Sequence, residues 1–149
     1  MIPTRKLSNG VEMPVLGFGT WKLKGEECAK MVNFALDTGY PAIDTAQVYL
    51  NEEAVGEGIR RSGKKREEIF VTSKVRNRFQ GYDHTLYAVE ASLKRFGLEC
   101  LDLFLIHWPG ENMYVPTWKA LVRLYEEKVL RAVGVSNFYP EHMETCAQE

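Results

Sequence analysis

The sequence predicts an α/β fold: the N-terminal portion of a (β/α)8 TIM barrel, about five β/α units long, preceded by a β-hairpin. Three observations predict it. Short apolar, often β-branched runs alternate with longer runs whose apolar positions recur at helical spacing, the order of parallel strands joined by helices. Polar side chains close successive units at Asp44, Lys74, His107 and Ser136, at intervals of about 30 residues, the length of one unit when eight take about 250. No G-x-G-x-x-G follows the first strand, because Gly17-Phe18-Gly19 lacks the third glycine of a dinucleotide-binding turn. An open doubly wound sheet is the competing fold. Periodicity alone does not exclude it, and the missing fingerprint shifts the balance toward a barrel.

The hairpin comes first. Arg5-Lys6-Leu7 and Val11-Glu12-Met13 flank Ser8-Asn9-Gly10, and Asn-Gly suits a tight turn because both residues tolerate positive φ. Strands are expected at residues 15–19, 42–44, 69–73, 101–106 and 132–135, mostly continuous apolar runs that fit strands covered on both faces. Cys28, Met31, Val32, Ala35 and Leu36 form a helical stripe that Gly39 terminates. Asn51 is a candidate N-cap for a helix reaching Ser62, with Glu52 and Glu53 in its first turn and Gly63 beyond its end. Asp83 is a candidate cap for the next helix, whose Leu86, Val89, Leu93 and Phe96 stop at Gly97. Trp118, Leu121, Val122 and Tyr125 line another. Pro140 suits the first turn of a last helix, expected to run to Glu149.

Residues 1–149 are expected to form a single domain, with 45% apolar and 26% charged residues giving enough material for a packed core. A net charge of -1 argues against a nucleic-acid surface or a basic membrane anchor. The N-terminal residues lack the apolar run of a signal peptide, and no stretch approaches the roughly 20 apolar residues that span a bilayer. Cys28, Cys100 and Cys146 are odd in number and have no metal-like spacing, so no metal site is expected and reduced thiols in a cytoplasmic protein are.

In a parallel barrel every strand's C-terminal end opens on one face, where chemistry is done. Asp44, Tyr49, Lys74 and His107 would converge there. An ammonium favours phenolate, so Lys74 beside Tyr49 is expected to lower the phenol pKa from about 10 toward neutrality and make it a proton donor. Asp44 would hold the lysine, and His107 a substrate oxygen. Taken singly, each has an ordinary reading: Asp44 a helix cap, Tyr49 core packing, Lys74 a surface lysine, His107 a satisfied buried histidine. Their coincidence at one rim favours the chemical reading.

The segment Gly39-Tyr40-Pro41-Ala42-Ile43-Asp44-Thr45-Ala46-Gln47-Val48-Tyr49-Leu50-Asn51-Glu52 resembles the signature of the aldo-keto reductase family. Phe70-Val71-Thr72-Ser73-Lys74 is similar to that family's lysine motif, Asp102-Leu103-Phe104-Leu105-Ile106-His107-Trp108-Pro109 to its histidine motif, and Gly134-Val135-Ser136-Asn137-Phe138 to its nicotinamide-holding motif. The resemblance covers essentially the whole chain and is nearest the 2,5-diketogluconate reductase type. It implies an NADPH-dependent reductase of aldehydes, ketones or keto-sugars, monomeric at full length. Tyr49 would donate the proton, Lys74 tune it, Asp44 pair with Lys74, and His107 orient the carbonyl. Ser136 and Asn137 would bind the nicotinamide carboxamide. Gly19, Thr20, Trp21 and Asp44 would lie near the cofactor, and Trp21, His107 and Trp108 would line the substrate pocket, with core packing as the ordinary alternative for both tryptophans.

Several positions depart from the family pattern. Pro41-Ala42 stands where a basic-histidine pair is usual, Leu50 where a glycine is, Val75-Arg76 where an apolar-tryptophan pair is, and Lys128 at a turn often held by glycine. If that turn needs positive φ, a non-glycine residue costs roughly 1 kcal/mol. The family's barrel continues through three further strands that carry the adenosine-phosphate contacts, so this sequence is expected to be the N-terminal part. The alternatives are a catalytically inactive half-barrel that works only with a partner chain or by self-association, and a structural use of a redox fold.

Overall fold

The computed structural model describes residues 2–148. A two-stranded antiparallel hairpin, β1 (Thr4–Lys6) and β2 (Glu12–Pro14), precedes a five-stranded parallel sheet. Its strands are β3 (Phe18–Gly19), β4 (Ala42–Asp44), β5 (Phe70–Val75), β6 (Leu103–Ile106) and β7 (Val133–Val135), paired in chain order. Helices α1 (Gly25–Asp37), α2 (Glu52–Ser62), α3 (Tyr82–Phe96) and α4 (Tyr114–Glu126) connect them, and α5 (Pro140–Ala147) follows β7. Every strand is followed by a helix and lies beside its predecessor, which is a partial (β/α) barrel.

Strand parity sorts the side chains. Ile43, Val71, Val75, Phe104 and Ile106 pack outward with helix residues such as Val32, Leu36, Val55, Val89, Phe96 and Leu121 into the main core. The alternate positions Ala42, Phe70, Leu103 and Ala132 form a second, smaller core on the sheet's other face. Leu7, Val11 and Met13 of the hairpin segment pack against that face. Continuing the same parity toward the strand ends places Asp44, Lys74, His107 and Ser136 on the inner side.

The hairpin turn uses its asparagine differently from the expectation. Only Gly10 has positive φ (91°); Asn9 instead accepts from Val11 N at 3.2 Å and donates to Arg131 O at 2.9 Å, tying the turn to the segment before β7. The expected first strand shrinks to its last two residues, because Val15 and Leu16 remain exposed and Phe18 is the first to face a partner, Ile43. Gly17 passes close to Ala42: a Cβ there would lie 3.3 Å from the Ala42 Cβ. β5 runs longer than expected, so Lys74 lies within the strand rather than after it. β6 starts at Leu103, and Leu101 makes only an isolated bridge to Leu130.

Among the helices, Met31 is exposed and Ala29 takes its place on the buried stripe of α1. Asp83 lies inside the first turn of α3, whose N-cap is Gly81 at φ 104°. α2 and α3 end on left-handed glycines, Gly63 and Gly97, as expected. Gly56 and Gly58 let α2 press against its neighbours: a Cβ at Gly56 would sit 2.2 Å from Phe96 O, and at Gly58 2.6 Å from Ala29 O. α5 opens on Pro140 but closes at Ala147 with Gln148 as its C-cap; Glu149, where a longer helix was expected, lies outside the described residues.

Candidate active site

Asp44 ends β4, and register puts it opposite Thr72, one inward position before Lys74 on β5. The lysine stem therefore rises along the inner face, and its ammonium donates to Asp44 Oδ1 at 2.7 Å and to Thr45 O at 2.9 Å. Lys74 is buried, while the Asp44 side chain keeps 46% of its surface exposed. Tyr49 reaches the same place from a 3-10 turn, Gln47–Tyr49, just after β4. Lys74 Nζ lies over its ring, 5.5 Å from the centroid. His107, one residue beyond β6, meets the Tyr49 ring edge to face at 5.9 Å. The chain thus brings the four expected residues together from three consecutive units.

The electrostatics differ from the sequence-based expectation in one respect. Burial, and then the Asp44 carboxylate, push the Tyr49 phenol above its ordinary value rather than toward neutrality. The geometry fits this: two of the ammonium's three N–H donors go to Asp44 and Thr45, and no hydrogen bond joins it to the phenol. Tyr49 is thereby held as a protonated phenol across the neutral range. Burial, and then the Lys74 charge, push His107 below its ordinary value, with Asp44 opposing, so its imidazole is neutral at pH 7.

Trp108 stacks on His107 at 6.3 Å and is 52% exposed, and Trp21 is 67% exposed with Lys22 Nζ 4.6 Å over its ring. Neither tryptophan is core, which removes the ordinary alternative for both and leaves their rings available on the rim. Gly19 faces open space. Thr20 is fully buried, and its hydroxyl donates to Asp44 O at 3.2 Å, holding the loop to the end of β4. Ser136 and the exposed Asn137 follow β7, the latter at φ 59°. Asn137 Nδ2 donates to His107 O at 2.9 Å and to Ser136 Oγ at 3.1 Å. That leaves the Asn137 carbonyl oxygen as acceptor and the Ser136 hydroxyl as donor, the pair a carboxamide would satisfy.

Sequence reasoning missed a layer of buried polar residues beneath the site. Gln47 accepts from Arg76 N at 2.9 Å and donates to Ala88 O and Ser92 Oγ, fixing the Tyr49 turn to the end of β5 and to α3. Glu52 accepts from Ser73, Ser92 and Arg95. Asn51 makes no N-cap bond; it accepts from Thr45 Oγ1 at 2.6 Å and donates to Thr20 O and Leu23 O at 2.9 and 3.0 Å. The available signal was a dense run of polar residues at positions the fold buries, within the signature segment itself. Of the departures, Leu50 and Lys128 both adopt positive φ (55° and 62°), the left-handed conformation a glycine would hold without strain.

A partial (β/α) barrel whose strand ends gather an aspartate, a tyrosine, a lysine and a histidine defines an oxidoreductase-type scaffold. The aldo/keto reductase family model matches residues 15–149, and the chain belongs to that family. It is 56% identical over 138 residues to the 9,11-endoperoxide prostaglandin H2 reductase of Trypanosoma cruzi, covering 92% of this chain and 49% of that protein. With the glyoxal reductase of Bacillus subtilis it shares 54% identity over 147 residues, 98% of this chain and 53% of that one. The crystal structure of an aldo/keto reductase from Brucella melitensis superposes with a TM-score of 0.97 at 43% identity, covering 100% of this chain and 59% of that one. A Bombyx mori aldo-keto reductase solved in complex with NADP superposes at 0.92 with 32% identity, over 99% of this chain and 54% of that one. The chain spans about half the length of the curated relatives it matches.

Proposed function

We propose that these residues supply the proton-donating side of an NADPH-dependent carbonyl reductase acting on aldehydes, ketones or keto-sugars. The observation that carries the reading is the Lys74–Asp44 pair at 2.7 Å beneath the Tyr49 ring, with His107 against its edge. Tyr49, kept protonated, donates to the carbonyl oxygen as charge develops on it. Neutral His107 orients that oxygen by a hydrogen bond, and the Lys74 charge stabilises the phenolate left behind. Ser136 and Asn137 would hold the nicotinamide carboxamide, and NADPH, when bound, supplies the hydride. Trp21 and Trp108 offer apolar walls. The test is NADPH oxidation in the presence of glyoxal or a simple aldehyde, compared with Tyr49→Phe. Aldehyde-dependent oxidation that Tyr49→Phe leaves at full rate overturns the reading.

A second reading, an inactive half-barrel that needs a partner chain or self-association, is supported by the sheet. Among the described residues β3 and β7 each pair on one side only. Titration of NADPH fluorescence separates the two: binding together with turnover favours the first, and neither without an added C-terminal half favours the second.

A further inference from the structure

We infer that Asn51 is a positioning residue that ties the Lys74 seat to the loop carrying Trp21. The inference rests on the reductase reading only for its kinetic consequence. Asn51 is 2% exposed and sits two residues after Tyr49, separated from it by Leu50 in the left-handed conformation. On one side its carbonyl oxygen accepts from the Thr45 hydroxyl at 2.6 Å. Thr45 is fully buried, and its own carbonyl receives the Lys74 ammonium at 2.9 Å. On the other side the Asn51 amide donates to Thr20 O at 2.9 Å, to Thr20 Oγ1 at 3.3 Å and to Leu23 O at 3.0 Å. Those two carbonyls bracket Trp21 and Lys22, and Thr20 also bonds back to Asp44 O through its amide at 3.0 Å.

One side chain therefore closes a ring: Lys74 to Thr45, Thr45 to Asn51, Asn51 to Thr20, Thr20 to Asp44, and Asp44 to Lys74. No other side-chain type of this size supplies an acceptor and two donors in one plane. Aspartate would turn a carboxylate on two carbonyls, and alanine would leave the buried Thr45 hydroxyl and the part-buried Leu23 carbonyl without a partner and remove one bond each from Thr20 O and Thr20 Oγ1. The same bonds hold Leu50 at φ 55° against its left-handed cost, so the Tyr49 turn is kept in shape from its far end. Loss of Asn51 thus frees the Trp21 loop and loosens the ammonium beneath Tyr49 together.

The experiment uses the full-length protein in the background of Asn51→Ala, Thr45→Val and Thr45→Ser, each first shown to melt cooperatively. Trypsin reads the loop directly, because Lys22 and Lys24 lie on it. Tyr49 ionisation is read as the difference in phenolate absorbance between each variant and the same variant carrying Tyr49→Phe. Cleavage after Lys22 or Lys24 is expected to quicken about tenfold or more in Asn51→Ala, in keeping with the loss of several buried hydrogen bonds. Tyr49 is expected to titrate lower in Asn51→Ala and Thr45→Val, because an ammonium no longer held at Thr45 O can approach the phenol and the loosened loop buries it less, while Thr45→Ser, which keeps the hydroxyl, follows the parent. With substrate, KM is expected to rise and kcat to fall. Should Asn51→Ala prove too unstable, Thr45→Val carries the titration arm. Parental cleavage and parental Tyr49 titration in a folded Asn51→Ala or Thr45→Val overturn the inference. Shifts in both, in a protein without aldehyde-dependent NADPH oxidation, uphold it and overturn the reductase reading instead.

Discussion

Lys74 Nζ and Asp44 Oδ1 lie 2.7 Å apart at the ends of adjacent parallel strands, with the lysine buried and the aspartate half-exposed. Removing the phenol that sits beside this pair tests its purpose. Tyr49→Phe in the full-length protein keeps the ring and deletes the donor, so kcat for aldehyde reduction is expected to fall by about 10²–10⁴-fold with KM little changed. Lys74→Met is expected to act in the same direction. Steady-state kinetics with NADPH decide it: a Tyr49→Phe protein with parental kcat removes Tyr49 from the chemistry.

The pH dependence follows from the two shifted groups. Tyr49 is raised, so it stays protonated up to and beyond the usual phenol value of about 10. His107 is lowered, so it stays neutral down to below the usual imidazole value of about 6.5. Carbonyl reduction should therefore be flat between those values, falling on the alkaline side as Tyr49 loses its proton and on the acid side as His107 gains one. A limb between pH 7 and 9 that vanishes in Tyr49→Phe would contradict the shift. The same His107 shift has a stability sign: below about 6.5 the unfolded chain binds the proton first, so stability declines as pH falls through that value toward the folded pKa.

How much of this was legible beforehand depended on whether a residue's role is local. Asp44, Lys74 and His107 could be placed because strand parity and a repeat of about 30 residues send them to one rim. The helix ends at Gly63 and Gly97 and the first turn at Pro140 were readable because each reflects its own φ. Asn51 was readable only as a helix cap, because its true partners, Thr20 and Leu23, lie about 30 residues away on another loop. Tyr49 lies beside Lys74 and His107, where strand order sends it, but the sequence shows only that a cation is near; geometry shows that burial and Asp44 act on the phenol while the ammonium bonds Asp44 and Thr45. Phe18–Gly19 fell short of its apolar run because nothing among the described residues pairs with Val15 and Leu16 as a strand.

Asp102 offers a test of stability independent of the site. Its fully buried carboxylate accepts from Arg66 and Arg131, each at 2.6 Å, and from Val71 N at 2.8 Å, clamping the N-terminal ends of β5, β6 and β7. Asp102→Ala leaves the buried Val71 amide without its acceptor and gives up two ion pairs whose guanidinium groups stay partly exposed, Arg66 keeping Ile69 O and Cys100 O, so a loss of about 2–3 kcal/mol is expected. Chemical denaturation measures it. A change below about 1 kcal/mol, the level of an exposed pair, would show the clamp to be inconsequential.

Lys128 supplies a change of opposite sign. It is exposed, sits at φ 62° after α4, and its side chain makes no ion pair among the described residues. Lys128→Gly removes a left-handed penalty of roughly 1 kcal/mol, partly offset by the greater freedom of glycine in the unfolded chain. A net gain of about 0.5 kcal/mol, seen as a small rise in melting temperature, is expected. A lower melting temperature would mean that the lysine stem contributes packing that outweighs the strain.

The sheet edges predict how the 149 residues behave when expressed by themselves. β3 presents Phe18 and β7 presents Val133 to Val135 on backbones that pair on one side only among the described residues. Beside β7 a groove lined by Leu103, Leu105, Trp118, Val122 and Val135 lies open. Unpaired edges recruit other strands, and a few hundred Å² of bared apolar surface at roughly 25 cal/mol per Å² amounts to several kcal/mol, comparable to a domain's whole stability. The hairpin already covers part of the inner face through Leu7, Val11 and Met13, and Asn9 ties it to Arg131 O before β7, but it pairs with neither edge strand. Self-association at micromolar concentration is therefore expected in sedimentation velocity, relieved by co-expression with the C-terminal half of a related reductase. A monodisperse monomer with a cooperative melt would show that the edges are protected in a way the sheet pairing does not reveal.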